Sequence, residues 1–464
     1  MPIPQTAPAF PVPFSVPENL SWQDIGASLR SNALAAFSPR AFEEMVIARR
    51  FAGRAQIVVN DPEVIRHVLV ENNDNYRRTA ATHRLLYPVV GKGMLLATGE
   101  DWRAQRRAAA PALAPRMMPA VARTVAEAAD RLVAELAAPS GEPGGEPGGE
   151  PGNEPGGEAI DLFGRVQLFA LEVAARALFS LDLGGEGPPL RAELQAYSDG
   201  AGRPTSLDFL LPRGLPTPRS LARWRFGRRW MARIETLLEK RLAEPLQDPP
   251  RDLFDMMRAA GPSGRRLVEQ SATMLAAGHE TTAVALFWSL YILSHAPAAQ
   301  RRIAAEAAAL DLSPAAAAEA VSKLVYTRAV LDEALRLYPP AFSIVRQARA
   351  PDEAAGIAIP RRAVILIVPW VLHRHKELWR DPDLFIPERF LPGAAPPARF
   401  SYLPFGAGPR ACIGAQFALT EAVLALARLV REFEVELADK APVVPVALIT
   451  LQPDRRPPFR LRRR

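Results

Sequence analysis

The sequence predicts a mainly α-helical fold with a small β-sheet region, and three observations carry that prediction. About thirty residues, from 265 to about 295, run with helical spacing and no proline until Pro297. Further amphipathic patterns of period 3.6 recur at 117–138, 162–179 and 416–433. Strand-like runs are few and short, at 54–60, 357–359 and 363–368. At roughly 100–200 residues per domain, 464 residues could form two to four domains or one large one. No recognisable linker divides the chain, so one domain over 1–464 is expected.

In chain order, the first twenty residues carry a proline every few positions, which suits an extended arm and no helical signal. Ser38 and Pro39 open a helical pattern through Phe42, Met45, Val46 and Phe51. A short strand follows at 54–60, and then Asp61, Pro62 and Glu63 supply an N-cap acceptor, a first-turn proline and an acid near the positive helix end. Residues 141–158 repeat Glu-Pro-Gly-Gly; the period of four excludes collagen, and nothing apolar is there to bury, so 139–158 reads as a flexible surface insertion. A helix over 326–337 stops at Tyr338, Pro339 and Pro340 and places Glu333 and Arg336 on one face. A Pro-rich irregular run at 381–405 precedes the last long helix; loops of that length usually have a function.

Composition narrows the class. A 48% apolar and 23% charged chain is globular. The single cysteine, Cys412, excludes an intrachain disulfide and any Cys-cluster metal site. A net charge of +7 keeps nucleic acid and acidic partners in view. The basic and aromatic run at 223–230 and the terminal arginines 455–464 invite a nucleic-acid reading. They read better as a solvated face ahead of an amphipathic helix and a solvated tail. No stretch of 18 apolar residues occurs, so no membrane span is expected and the protein reads as soluble and cytoplasmic.

Two segments break the local rules. The long helix is apolar on nearly all sides and therefore central, yet its middle holds Ala277, Gly278, His279, Glu280, Thr281 and Thr282. Glycine, an acid and paired threonines are poor choices for a buried helix, and a buried carboxylate is costly unless satisfied. Such a breach points to function or to a helix distortion. The second segment is the loop 405–414, where three glycines and a proline surround Cys412 just before a helix. Backbone N–H groups and the positive helix end should favour thiolate there. Such a thiolate is open to three roles: nucleophile, zinc ligand or haem ligand. A nucleophile wants a His–Asx pair, zinc wants three more ligands, and haem needs one axial thiolate plus basic groups for its propionates.

The string Phe405, Gly408, Arg410, Cys412, Gly414 resembles the haem-binding signature of the cytochromes P-450 at every fixed position. Residues 277–282 look like that family's oxygen-activating helix motif, Glu333 and Arg336 its E-x-x-R, 387–390 its P-E-R-F, and Trp102 with Arg106 its W-x-x-x-R. The signatures stand in the family's order along nearly the whole chain. The resemblance implies the cytochrome P-450 fold, a long central helix over a haem b, with Cys412 as its axial metal ligand. It implies propionate contacts from Arg410, Arg106, Trp102 and Arg346, with Phe405 packed beside the sulfur. Gly408 and Gly414 shape the ligand loop, and small Ala277 and Gly278 admit oxygen and substrate. Glu333, Arg336 and Arg389 resemble a buried structural triad.

Thr281 and Glu280 are then the catalytic pair. Cleaving O2 takes two protons, and a dry pocket must deliver them through a hydroxyl that accepts and donates, replenished by an acid. A hydroxyl merely bonded back to the helix is the plain alternative for Thr281. Residues 341–344, Leu448, Ile449 and 79–90 should border a mainly apolar substrate site. His83, Arg77, Arg78 and Arg84 read as a solvated loop at its entrance. The function implied is a haem-thiolate monooxygenase acting on a small apolar organic substrate, by C–H hydroxylation or C=C epoxidation. Two electrons would come from a separate ferredoxin or flavodoxin-type donor, since no reductase sequence follows Arg464. A peroxide-using peroxygenase and a non-catalytic haem sensor or binding protein are the alternatives.

Overall fold

The computed structural model describes residues 7–18, 20–51, 53–138, 159–261 and 263–464. The start of the N-terminal arm and the whole insertion at 139–158 lie outside the described residues.

The helix Arg265–Ser294 crosses the body unbroken through its anomalous middle. Thr281 and Thr282 send their hydroxyls to the carbonyls four residues back, at 2.8 and 3.1 Å, which satisfies them without distorting the ladder. Around it pack Leu162–Phe179, capped by the Asp161 carboxylate on Gly164 N at 2.9 Å, and Ala415–Glu432. Both are apolar on several faces, so the three helices share one core.

A second, smaller core sits under a five-stranded sheet. Its strands lie in the order Val46–Phe51, Arg54–Val59, Val364–Ile367, Ile344–Ala348 and Tyr76–Arg77. All neighbours are antiparallel except Arg54–Val59 with Val364–Ile367. The helix expected through Phe51 is therefore a correction: a 3-10 turn at Pro39–Phe42 gives way to the first strand. Phe42, Met45 and Val46 imitate helical spacing, but β-branched Val46 and Ile47 pair across a hairpin closed by Gly53 at φ +74°. Asp61 caps the next helix through Glu63 N and Val64 N, at 2.8 and 3.0 Å, as its sequence predicts.

The C-terminal arginines are likewise no tail. Phe459–Arg463 is a strand against Phe433–Leu437, and Arg462 meets Glu436 at 3.1 Å. The run at 223–230 lies inside the helix Ser220–Ala243 and not ahead of one. Arg223 is buried against Asp208, Trp230 against Val89 O, and Phe226 is buried too, which withdraws three of the run's seven basic or aromatic side chains from any nucleic acid. The irregular run at 381–405 contains one 3-10 turn, Pro387–Phe390. The arm is pinned: Phe10 is buried, and its N–H donates to Asp383 O at 2.7 Å. Among the described residues no single helix is long and apolar enough to cross a membrane.

Candidate active site

The loop around Cys412 is shaped by where its glycines permit the backbone to go. Gly406 and Gly408 take φ of +69° and +71°. A Cβ on Gly408 would lie 2.0 Å from Leu69 O, so only glycine lets the loop rest against that turn. Cys412 N donates to Phe405 O at 2.9 Å, closing the loop on itself. The loop is braced from behind by the helix Val325–Leu337. Buried Arg336 binds both Glu333 oxygens, at 2.7 and 2.8 Å, and the carbonyls of His373, Pro382 and Leu384. Arg389 reaches Glu333 at 3.5 Å, so the three residues read as a triad do meet. Leu403 N donates to His373 Nε2 at 2.8 Å, tying the loop's base to the same support.

Cys412 opens onto a cavity of about 990 Å³. One expectation fails at the sulfur. The depth of the site pushes the thiol up, while the Gly414 N–H and Arg106 pull it the other way without prevailing. With helix dipole and one N–H against burial, burial wins; a positive ligand on the sulfur would be needed to favour thiolate.

Ala277, Glu280, Thr281 and Thr282 line the cavity from the central helix, while Phe405 and Cys412 line it from the loop. Glu280 binds Thr450 at 3.3 Å, Gln452 and Gln167, and burial raises its pKa. Its neighbour His279 is fully buried and outside the cavity wall, and burial lowers it to about 4. Gly278 is a correction: it faces the 162–179 helix, with Ala174 Cβ 3.8 Å from where its own Cβ would stand, so it serves helix packing and not access. Ala341, Phe342, Ser343, Ile344, Leu448 and Ile449 do line the cavity, as does much of the helix Ala80–Val90.

Four arginines converge beside the loop. Arg346 and Arg410 line the cavity, and burial lowers each to about 10. Arg410 Nη1 donates to Ala97 O at 2.8 Å and its guanidinium lies 4.0 Å from the centre of the Trp102 ring. Arg106 lies 5.9 Å from the centre of the same ring and donates to Ala411 O at 3.0 Å. Trp102 and Arg106 thus reach the cavity through Arg410 and the loop, not directly. The fourth is Arg78, which the sequence reading left in a solvated loop. It is half-buried on the cavity wall, lowered to about 9 by desolvation and by Arg346 and Arg410. No local signal marks it: the strand Tyr76–Arg77 stops one residue short, and exposed Arg77 lines the cavity as well. His83 also lines the cavity, lowered to about 4, and Arg84 instead holds the carbonyls of Asp208 and Leu211, at 2.8 and 3.0 Å.

Like charges crowded out of water, with no ion pair among the described residues, are a costly arrangement that a bound dianion would relieve. A thiol at one wall for iron and this arginine cluster for two propionates together fit a haem. Comparison with known proteins agrees. The family model described as Cytochrome P450 matches residues 35–455. Cytochrome P450 97B2 of Glycine max is 30% identical over 449 residues, 83% of this chain and 75% of that one. Pentalenene oxygenase of Streptomyces avermitilis is 34% identical over 315 residues, 66% of this chain and 69% of that one. The solved structure of a cytochrome P450DA haem domain shares the fold, with a TM-score of 0.79 at 22% identity and 99% coverage of both chains. This chain therefore belongs to the cytochrome P450 family, as an oxidoreductase of the monooxygenase type with haem b as its cofactor.

Proposed function

We propose that this monooxygenase inserts one atom of O2 into a C–H or C=C bond of an organic substrate with an apolar body. Two electrons come from a separate ferredoxin- or flavodoxin-type donor, and the whole chain works as one domain. Haem, when bound, supplies the activation of oxygen; the protein's own residues do the rest. Cys412 Sγ would ligate the iron, and Arg78, Arg346 and Arg410 would hold the propionates, with Arg106 positioning the ligand loop through Ala411 O. Phe405, Gly408 and Gly414 keep the sulfur in place.

The observation that carries the reading is the pair of neighbours on the cavity's central-helix wall, Thr281 and Glu280. The Thr281 hydroxyl donates to Ala277 O and keeps lone pairs to accept a proton, so it can pass one on by rotating. Glu280 is turned to Thr450, Gln452 and Gln167, and burial favours its protonated form, the state a proton donor needs. A peroxygenase, which receives its protons with the peroxide, would have no use for this pair. Phe342, Ile344, Leu448 and Ile449 supply the apolar surface for the substrate.

The test is Thr281→Ala with a reconstituted reductase system. Product formed per NAD(P)H consumed should fall about tenfold or more while NAD(P)H consumption continues. Unchanged coupling would remove Thr281 from the mechanism, and full turnover with hydrogen peroxide but none with the reductase would refute the O2-dependent reaction.

A further inference from the structure

The arginines that hold the propionates do not exhaust the positive charge on the cavity wall. Arg49, Arg54, Arg77, Arg213, Arg349 and Arg362 line it too, and among the described residues Glu280 is the sole carboxylate in the lining. None of these six has an ion pair among the described residues, whereas arginines elsewhere find acids: Arg223 with Asp208, Arg241 with Asp252 and Asp255. The sheet organises part of this charge. Cross-strand register sets Arg49 opposite Gln56, Gln56 opposite Val364, Val364 opposite Gln347, and Gln347 opposite Arg77. Partners directly across a sheet face the same side, so these five form one row, and every member of it lines the cavity.

Within that row Arg49 is distinct. Arg77 is exposed and bonded to Gln347 at 3.2 Å, but Arg49 is sunk in the wall, where burial lowers it to about 10. It is held in place by neutral groups alone. Nε donates to Gln56 Oε1 at 3.1 Å, Nη1 donates to Ala36 O at 2.9 Å, and the Phe37 ring lies 5.9 Å away. Nη2 carries no hydrogen bond among the described residues, and the surrounding wall is apolar: Ile25, Leu29, Phe37 and Phe51. A half-buried guanidinium, oriented but unneutralised beside apolar surface, is costly in the empty site and is relieved by an incoming anion.

We propose that the substrate is an amphiphile, an apolar body bearing a carboxylate, and that the carboxylate binds Arg49 while the body runs through the cavity towards Thr281 and Cys412. This rests on the monooxygenase reading of the same cavity and names the class of substrate it takes. The exposed arginines at the outer rim add a positive potential that draws such anions in. Arg49 is a specificity residue: it touches the end of the substrate remote from the reacting carbon.

The holoenzyme is titrated with lauric, palmitic and abietic acids, each beside its own methyl ester, following the iron spin shift and, independently, the heat of binding. A charge-assisted hydrogen bond is worth about 1.5–3 kcal/mol, so at least one acid should bind roughly tenfold to a hundredfold tighter than its ester. That preference should shrink with added salt and disappear in Arg49→Gln. Arg50→Gln, an exposed neighbour off the cavity wall, should retain it. Acids that bind no better than their esters, a preference that survives in Arg49→Gln, or an equal loss in Arg50→Gln would each overturn the proposal. A thiolate-type spectrum of the reduced CO complex, recorded on every variant, separates the two readings. If it is intact without acid preference, only the carboxylate site fails; if wild type lacks it, the monooxygenase reading fails, whatever the heats of binding show.

Discussion

Arg78, Arg346 and Arg410 crowd one corner of the cavity, each made less basic by burial, Arg78 also by the other two and Arg410 also by Arg346. Arg346 and Arg410 were legible in the sequence, one from its distance after Pro339 and one from the cysteine string. Arg78 was not, because one arginine among many carries no local mark, and its place beside Arg346 and Arg410 depends on strands that meet only across the sheet. Replacing Arg78 by alanine should weaken haem retention roughly tenfold to a hundredfold, the worth of one charge-assisted contact of about 1.5–3 kcal/mol. Transfer of haem to an excess of scavenger protein measures it; an unchanged transfer rate would take Arg78 out of the cofactor site. Gly278 taught the opposite lesson. Its place in a recognised string suggested access to the cavity, but rotation around the helix turns it to the 162–179 helix.

The cysteine loop is the element on which the site depends. Gly408→Ala would combine a left-handed φ with a Cβ driven into Leu69 O, so either the loop or the Leu69 turn must move. Strain of this kind costs about 1–3 kcal/mol before the clash is counted, and the variant should incorporate little haem, as the Soret-to-protein absorbance ratio will report. The loop's base makes the protein acid-sensitive. His373 Nε2 accepts from Leu403 N and must stay neutral to do so; burial lowers it to about 3, against about 6.5 in an unfolded chain. Its contribution is fully present above about pH 6.5 and is lost as pH falls towards about 3. Melting temperature should therefore fall across that window, and His373→Asn should flatten the slope; an unaltered slope would contradict the assignment. The long helices and the loop were readable because periodicity, caps and glycines are local signals. The first strand was not: two arginines interrupt its alternation, and pairing with Arg54–Val59 decides it.

For the molecule as a whole, the central helix is the shared wall of core and cavity, and the chain's two ends are tied to that frame. Phe10 packs edge-on against Tyr291, His295 and Tyr338, with ring centres 6.1, 5.8 and 6.2 Å away, although the Pro-rich composition around it predicted no more than an extended arm. Phe10→Ala should cost about 3 kcal/mol of stability by denaturant unfolding, the lower end for a buried phenylalanine. A loss within error would mean that the arm adds nothing to the body. Fold class and cofactor were legible because one set of short strings, in order, spans most of the chain. The lining of the cavity was not, since it is assembled from the helix Trp22–Ser31, the sheet, the central helix and the hairpin that pairs Pro445–Ala447 with Leu451–Pro453. Everything converges on Cys412, a thiol that burial alone would keep protonated and that a metal would hold as thiolate. The most direct test is the reduced CO spectrum of the haem-loaded protein. The account predicts the thiolate-type spectrum in wild type and its loss in Cys412→Ala; a Cys412→Ala protein that kept that spectrum would contradict it.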